Sequence, residues 1–168
     1  MKLLFINESP LVLAGGAYHT TEIWTRIPLF LAEFAERVTL LAPVRPPKDD
    51  AFSATHWPIP AGTIGIEGLG DYRSYAGYYR LWPWRRRSWS RQVERLVADH
   101  DLVILRFPSP IAPIVVSWAR RLKKPLVCFL CGDLATQVDG LVQSRGLKKL
   151  FYRLAVDFFL RQERACCS

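Results

Sequence analysis

Gly15 and Gly16, followed one residue later by Tyr18 and His19, are residues near the start of the chain whose types and spacing could do chemistry. They follow an apolar run of strand length, Lys2–Ile6, and precede a helical pattern that starts at Thr20 or Thr21. The segment predicts a strand, a glycine turn and a helix start. Backbone amides at a helix N-terminus, approached closely where two residues lack Cβ, make an anion site, and phosphate is the ligand such a turn would take. The same two glycines also suit a chain that only turns tightly. His19 would donate a hydrogen bond or act as a base near neutral pH, or would be a partly exposed residue of the first helical turn. Further on, Arg106 stands near the end of an apolar run, and Gly132 and Asp133 stand just past another.

Five apolar runs alternate with helical patterns and must position these residues. Residues 22–35 place Ile23, Ile27, Phe30, Leu31 and Phe34 on one helix face, with Thr20 or Thr21 as the cap. Pro28 should kink or split that helix. Residues 37–44 read as a second buried strand and residues 54–59 as a short third. Residues 101–107 and 126–130 read as the fourth and fifth, with a helix over 111–122 between them. Alternating strands and helices predict an α/β domain, a Rossmann-like open parallel sheet in the order 3-2-1-4-5 with helices on both faces. Its switch point lies between the first and fourth strands, so Gly15–Gly16, residues 106–108 and Gly132–Asp133 should converge on one crevice. The irregular stretch from Pro46 to Tyr75 leaves from the carboxyl end of the sheet, as a functional loop or a poorly ordered excursion.

Composition excludes several classes. At 168 residues and 50% apolar the chain suffices for one domain with a substantial core, and it is not disordered. It contains no apolar stretch of membrane-spanning length, and no charged segment precedes an apolar one at its start. Lys and Arg outnumber Asp and Glu by 23 to 15, a formal charge of +8 that favours anionic partners. Cys128 and Cys131 would point to opposite faces of a strand, and Cys166 and Cys167 have no further ligands at suitable spacing, so no zinc site is expected. The cysteine pattern fits a reduced, cytosolic protein.

Two stretches carry the excess charge. Residues 75–100 set Arg85, Arg86, Arg87 and Arg91 beside Trp82, Trp84 and Trp89, a combination that would stack on bases, sit in an anionic headgroup layer, or form a solvated helix face. Residues 147–165 predict an amphipathic basic helix, packed on the sheet or lying on a membrane surface.

Taken together, the strand, Gly-Gly turn, VTLLAP, DLVILRFPSP and KKPLVCFLCGD resemble the N-terminal half of a GT-B retaining glycosyltransferase. That group includes sucrose, lipopolysaccharide and phosphatidylinositol mannosyl transferases. The resemblance implies that residues 1–168 form one Rossmann-like domain on the acceptor side of a longer two-domain enzyme. It implies that Gly15 and Gly16 face the sugar nucleotide's phosphates, and that Tyr18, Arg106 and Gly132 contact the acceptor. His19 and Asp133 would serve catalysis. Where the family often has a histidine after the fifth strand, this chain has Cys131. The implied substrates are a nucleotide sugar and a glycan or lipid-linked acceptor, with no cofactor, no metal and no nucleic acid. The donor-binding C-terminal domain would be the missing partner. A cytoplasmic enzyme, peripheral on an anionic membrane surface, is the implied setting, and a noncatalytic Rossmann-like adaptor that recruits a catalytic partner to a membrane is the alternative.

Overall fold

The computed structural model describes residues 1–20, 23–47, 57–70, 75–130 and 161. In chain order the elements are β1 (Lys2–Ile6), β2 (Leu11–Ala14), β3 (Ala17–Thr20), α1 (Arg26–Leu31), β4 (Arg37–Ala42) and β5 (Val44–Arg45). There follow β6 (Trp57–Pro58), β7 (Gly65–Gly68), α2 (Tyr75–Asp99), β8 (Leu102–Phe107), α3 (Ala112–Arg121) and β9 (Leu126–Leu130).

The main sheet is parallel, in the order β7-β4-β1-β8-β9. This is the 3-2-1-4-5 order that the alternation of strands and helices predicts, and the fold is Rossmann-like α/β. Because strand side chains alternate, β1 feeds both sides of the sheet. Leu4 and Ile6 join a core with Val103, Leu105, Phe107 and the apolar faces of α2 and α3, while Leu3 and Phe5 join a second core with Val38, Leu40 and residues of α1. A central strand covered on both faces explains why β1 reads as an unbroken apolar run.

Three expectations need correction. The third strand of the main sheet is β7, not residues 54–59; β6 belongs instead to a small second sheet, β5-β2-β3-β6. No helix follows Gly15–Gly16. The two glycines, with φ of +57° and +78°, form the turn of the β2–β3 hairpin, where both central residues need the left-handed region. Thr20 is therefore the last residue of β3; a 3-10 turn over Ile23–Thr25 leads into α1, whose Thr25 makes no side-chain capping bond. Pro28 is the third residue of α1, within the first turn, where its missing N–H costs no helical hydrogen bond and no kink is required.

His100, buried at the end of α2, joins that helix to β4. Its Nδ1 is 2.6 Å from the Leu96 carbonyl and therefore carries the proton, leaving Nε2, 2.8 Å away, to accept from the Thr39 hydroxyl. Close by, Arg37 bonds Asp99 and holds that carboxyl below the usual carboxylate range, and the Lys2 backbone N–H, 2.7 Å from Asp101, lowers the second one. Folded values below the unfolded value mean that this stabilisation is fully present above about pH 4 and is lost as pH falls through the folded values. Thermal melts of the Asp99→Asn, Asp101→Asn double variant should accordingly lose less stability below about pH 4 than those of the parent. An equally steep acid decline in both would contradict this.

Candidate polar crevice at the carboxyl edge of the sheet

Arg106 is the one charged residue in the otherwise apolar strand β8. Val103, Leu105 and Phe107 face the α2–α3 core, whereas Leu102 and Ile104 pack against the other core, so alternation turns Arg106 toward the face that carries α1. Ile6 pairs with Leu105, which brings the next residue of the chain, Asn7, level with Arg106 at the carboxyl edge. From there Arg106 Nη1 reaches three oxygens: Asn7 Oδ1 at 3.1 Å, Ser9 Oγ at 3.0 Å and the carboxylate of Glu8. On β9, Phe129 is the register partner of Arg106. The Trp24 ring lies over both, its centroid 4.9 Å from the guanidinium carbon and 5.9 Å from the Phe129 ring, which it meets edge-on.

The crevice is largely buried and nearly neutral. Arg106 and Glu8 are 13% and 17% exposed, so they form a largely buried ion pair whose charges cancel. Asn7 Oδ1 accepts from both Arg106 and the Ser9 N–H, 3.2 Å away, which fixes the amide's orientation. That orientation leaves Asn7 Nδ2, and with it Ser109 Oγ just beyond β8, buried with no hydrogen-bond partner among the described residues. Buried donors of this kind call for an acceptor from water or a ligand.

The N-terminus of α3, which opens at the same edge, is poorly suited to anions. The Ala112 N–H already bonds the Ser109 carbonyl, Pro113 has no N–H, and the Ile114 N–H bonds the Ile111 carbonyl. The arrangement favours uncharged hydroxyl and carbonyl groups over phosphate.

Among the described residues, those singled out in the sequence fall in separate places. Arg106 is in the crevice. Gly15 and Gly16 lie at the hairpin tip, a four-residue strand beyond Leu11, exposed and with nothing within 4 Å of where a Cβ would stand. Tyr18 and His19 are neighbours on β3 and so point to opposite faces; Tyr18 packs against the α1-side core, which turns His19 away from it. Gly132 and Asp133, with Cys131, lie outside the described residues, as does the predicted helix over 147–165 apart from Arg161. Asn7, Glu8, Ser9 and Trp24 were not singled out in the sequence; a run of polar residues directly after the first buried strand was the available signal. Among the described residues no helix is long and apolar enough to cross a membrane.

The hairpin geometry has a checkable consequence. Gly15→Asn should be nearly neutral, since asparagine enters the left-handed region at this turn type. Gly16→Val should cost about 1–2 kcal/mol in urea unfolding. Equal costs for the two would argue against this turn.

No protein-family model and no curated protein matches the chain. Among solved structures, two crystal structures of the C-terminal domain of a hydrogenase from Pyrococcus furiosus are similar at 16% identity. They have TM-scores of 0.44 and 0.45, over 76% of this chain and 89% and 90% of theirs. A likeness at that level carries no argument about chemistry.

Proposed function

We propose that the chain is the acceptor-side domain of a retaining, sugar-nucleotide-dependent glycosyltransferase of the GT-B type. The observation that supports this reading best is the crevice at the switch point, where Asn7, Ser9 and Arg106 gather polar groups under the face of Trp24. Directed hydrogen bonds beside an aromatic ring suit a polyhydroxylated, uncharged ligand. The internal Arg106–Glu8 pair and the occupied amides of α3 disfavour a phosphate at the same spot. This division of labour fits a domain that holds the acceptor while a second domain holds most of the nucleotide.

In the reaction, an acceptor hydroxyl oxygen bonds to the anomeric carbon as that carbon's bond to the diphosphate breaks, and the hydroxyl proton leaves with the departing group or to a base. The nucleoside diphosphate takes the bonding electrons, and its growing charge is stabilised by backbone amides and cations, with no metal required. The exposed Gly15–Gly16 tip, open around both glycines, would approach the phosphates. His19 and Asp133 are the proposed catalytic groups, with Tyr18, Arg106 and Gly132 as acceptor contacts. Because Tyr18 and His19 face opposite ways on a strand paired on both sides, they would contact different parts of the substrates. The setting is the cytoplasm, at the inner membrane face. A noncatalytic adaptor is the second reading, favoured by the exposed basic face of α2.

The test is turnover by the full-length polypeptide with a panel of nucleoside-diphosphate sugars and a lipid and glycan extract. Acceptor-dependent release of nucleoside diphosphate, lost in His19→Ala, is the expected result. No release across the panel would contradict the transferase reading.

A further inference from the structure

Helix α2 presents two faces with different chemistry. Tyr78, Trp89, Val93, Leu96 and Val97 are buried against the sheet. At 100° per residue, Arg80, Trp84, Arg87 and Arg91 fall in one row on the opposite side, at spacings of four, three and four, and all four are exposed. The row runs about 16 Å along the helix. Residues 83–88 are exposed without interruption, which includes positions that would face inward on a helix lying flat, so this part of α2 projects past the sheet. Trp84 is 76% exposed at the middle of the row. Around it stand Arg85 and Arg86, the latter with its guanidinium carbon 5.5 Å from the centre of the Trp82 ring. Residues 75–93 contain five arginines and no acidic residue. Arg95, on the same face one turn further on, is instead engaged by Glu67 at 2.9 Å.

An indole left in water amid arginines costs apolar exposure that packing within the described fold does not relieve. We propose that this face of α2 docks the protein on an anionic lipid bilayer. Arg80, Arg87 and Arg91 would lie along the headgroup phosphates, and Trp84 would enter the boundary between headgroups and acyl chains. The row is straight and fits a planar surface, and its charge is complementary to that surface. A single indole between charges suits an interface of polar heads over apolar tails, whereas a nucleic-acid strand would call for a series of exposed rings to stack successive bases. The inference rests on the helix face alone, so a failure of the glycosyl-transfer reading leaves it standing.

The full chain is mixed with vesicles of pure phosphatidylcholine and with vesicles of equal parts phosphatidylcholine and phosphatidylglycerol, and bound protein is separated by flotation. Binding to the anionic vesicles alone is expected, weakening as salt rises. Each arginine removed should weaken it about fivefold, so the Arg80→Ala, Arg87→Ala, Arg91→Ala variant should bind about a hundredfold more weakly. Trp84→Ala should bind several-fold more weakly and lose the blue shift of tryptophan emission that the parent shows on binding. All four side chains are exposed, so the variants should keep the parent's melting temperature. Replacing the three arginines with lysine should preserve binding, because a headgroup layer reads charge and not the planar fork. Failure of the parent to bind anionic vesicles at low salt would overturn the proposal. Undiminished binding by the triple alanine variant would do so too, as would displacement from vesicles by a stoichiometric single-stranded oligonucleotide.

Discussion

Arg106→Ala should lower the free energy of unfolding by about 3 kcal/mol, the lower end of the range for removing one partner of a buried ion pair. The lower end applies because the two side chains retain 13% and 17% exposure. Most of the loss comes from what remains behind. Glu8 would keep its carboxylate in a site that still excludes water, Ser9 Oγ and Asn7 Oδ1 would each lose a donor, and Trp24 would lose the cation on its face. The pair itself contributes much less than its rupture costs, which gives the prediction a second arm. Combining Arg106→Met with Glu8→Gln removes both charges while keeping bulk, and should recover at least half of the loss in urea unfolding. A double variant no more stable than Arg106→Ala would show that the arginine acts through some other contact.

A second large effect is expected at Tyr78, on the opposite side of the sheet. Its fully buried ring stacks on Trp89 with centroids 4.6 Å apart and planes 5° from parallel, and meets Tyr79 edge-on at 5.4 Å. Trp89 in turn donates from Nε1 to the Leu69 carbonyl at 2.8 Å, which ties the middle of α2 to the loop after β7. Tyr78→Ala would remove the central ring of this cluster and leave a cavity, at a cost of about 3–5 kcal/mol in unfolding free energy. The effect should also be local to α2, because the rings clamp the helix from which the arginine row projects. Hydrogen exchange should show faster opening in the first half of α2, with β1 and β8 changed far less. Uniform acceleration through the sheet would mean that the cluster does not act as a separate anchor.

Much of the fold is legible in the sequence because central parallel strands are buried on both faces. Lys2–Ile6, Arg37–Ala42 and, apart from Arg106, Leu102–Phe107 show this as apolar runs, and the strand order then follows from right-handed crossovers. The edges are less legible. In β7 the sequence GIEG holds a single apolar side chain, and β6 is two residues long and ends in a proline, so neither carries a periodic signal. The hairpin was written in the sequence in another form. LVLA and AYHT, two runs of four residues separated by two glycines, match a two-residue hairpin as well as they match a strand, a phosphate turn and a helix start. Position decided between them: β2 pairs with β5, which extends the chain past β4, and that non-local contact cannot be read along the chain.

The crevice divides in the same way. Arg106 announces itself as a charge inside an apolar strand. Its neighbours do not, because Asn7, Glu8 and Ser9 reach it through the register of β1 on β8, about a hundred residues apart in sequence. Trp24 reaches it through the fold of the segment before α1, a turn for which the sequence suggested a longer helix. Burial of an amide whose donor lacks an acceptor among the described residues is visible only once that register is known.

The central claim is that this crevice holds an uncharged, polyhydroxylated acceptor. Amide and side-chain shift mapping of the isotopically labelled full chain, titrated with a panel of neutral glycosides, tests it directly. The expected result is saturable shifts that gather at the Asn7 side-chain amide, Ser9, the Trp24 indole and Arg106, and that disappear in Asn7→Leu. Shifts confined to the Gly15–Gly16 tip or to the arginine row of α2, or none across the panel, would contradict it.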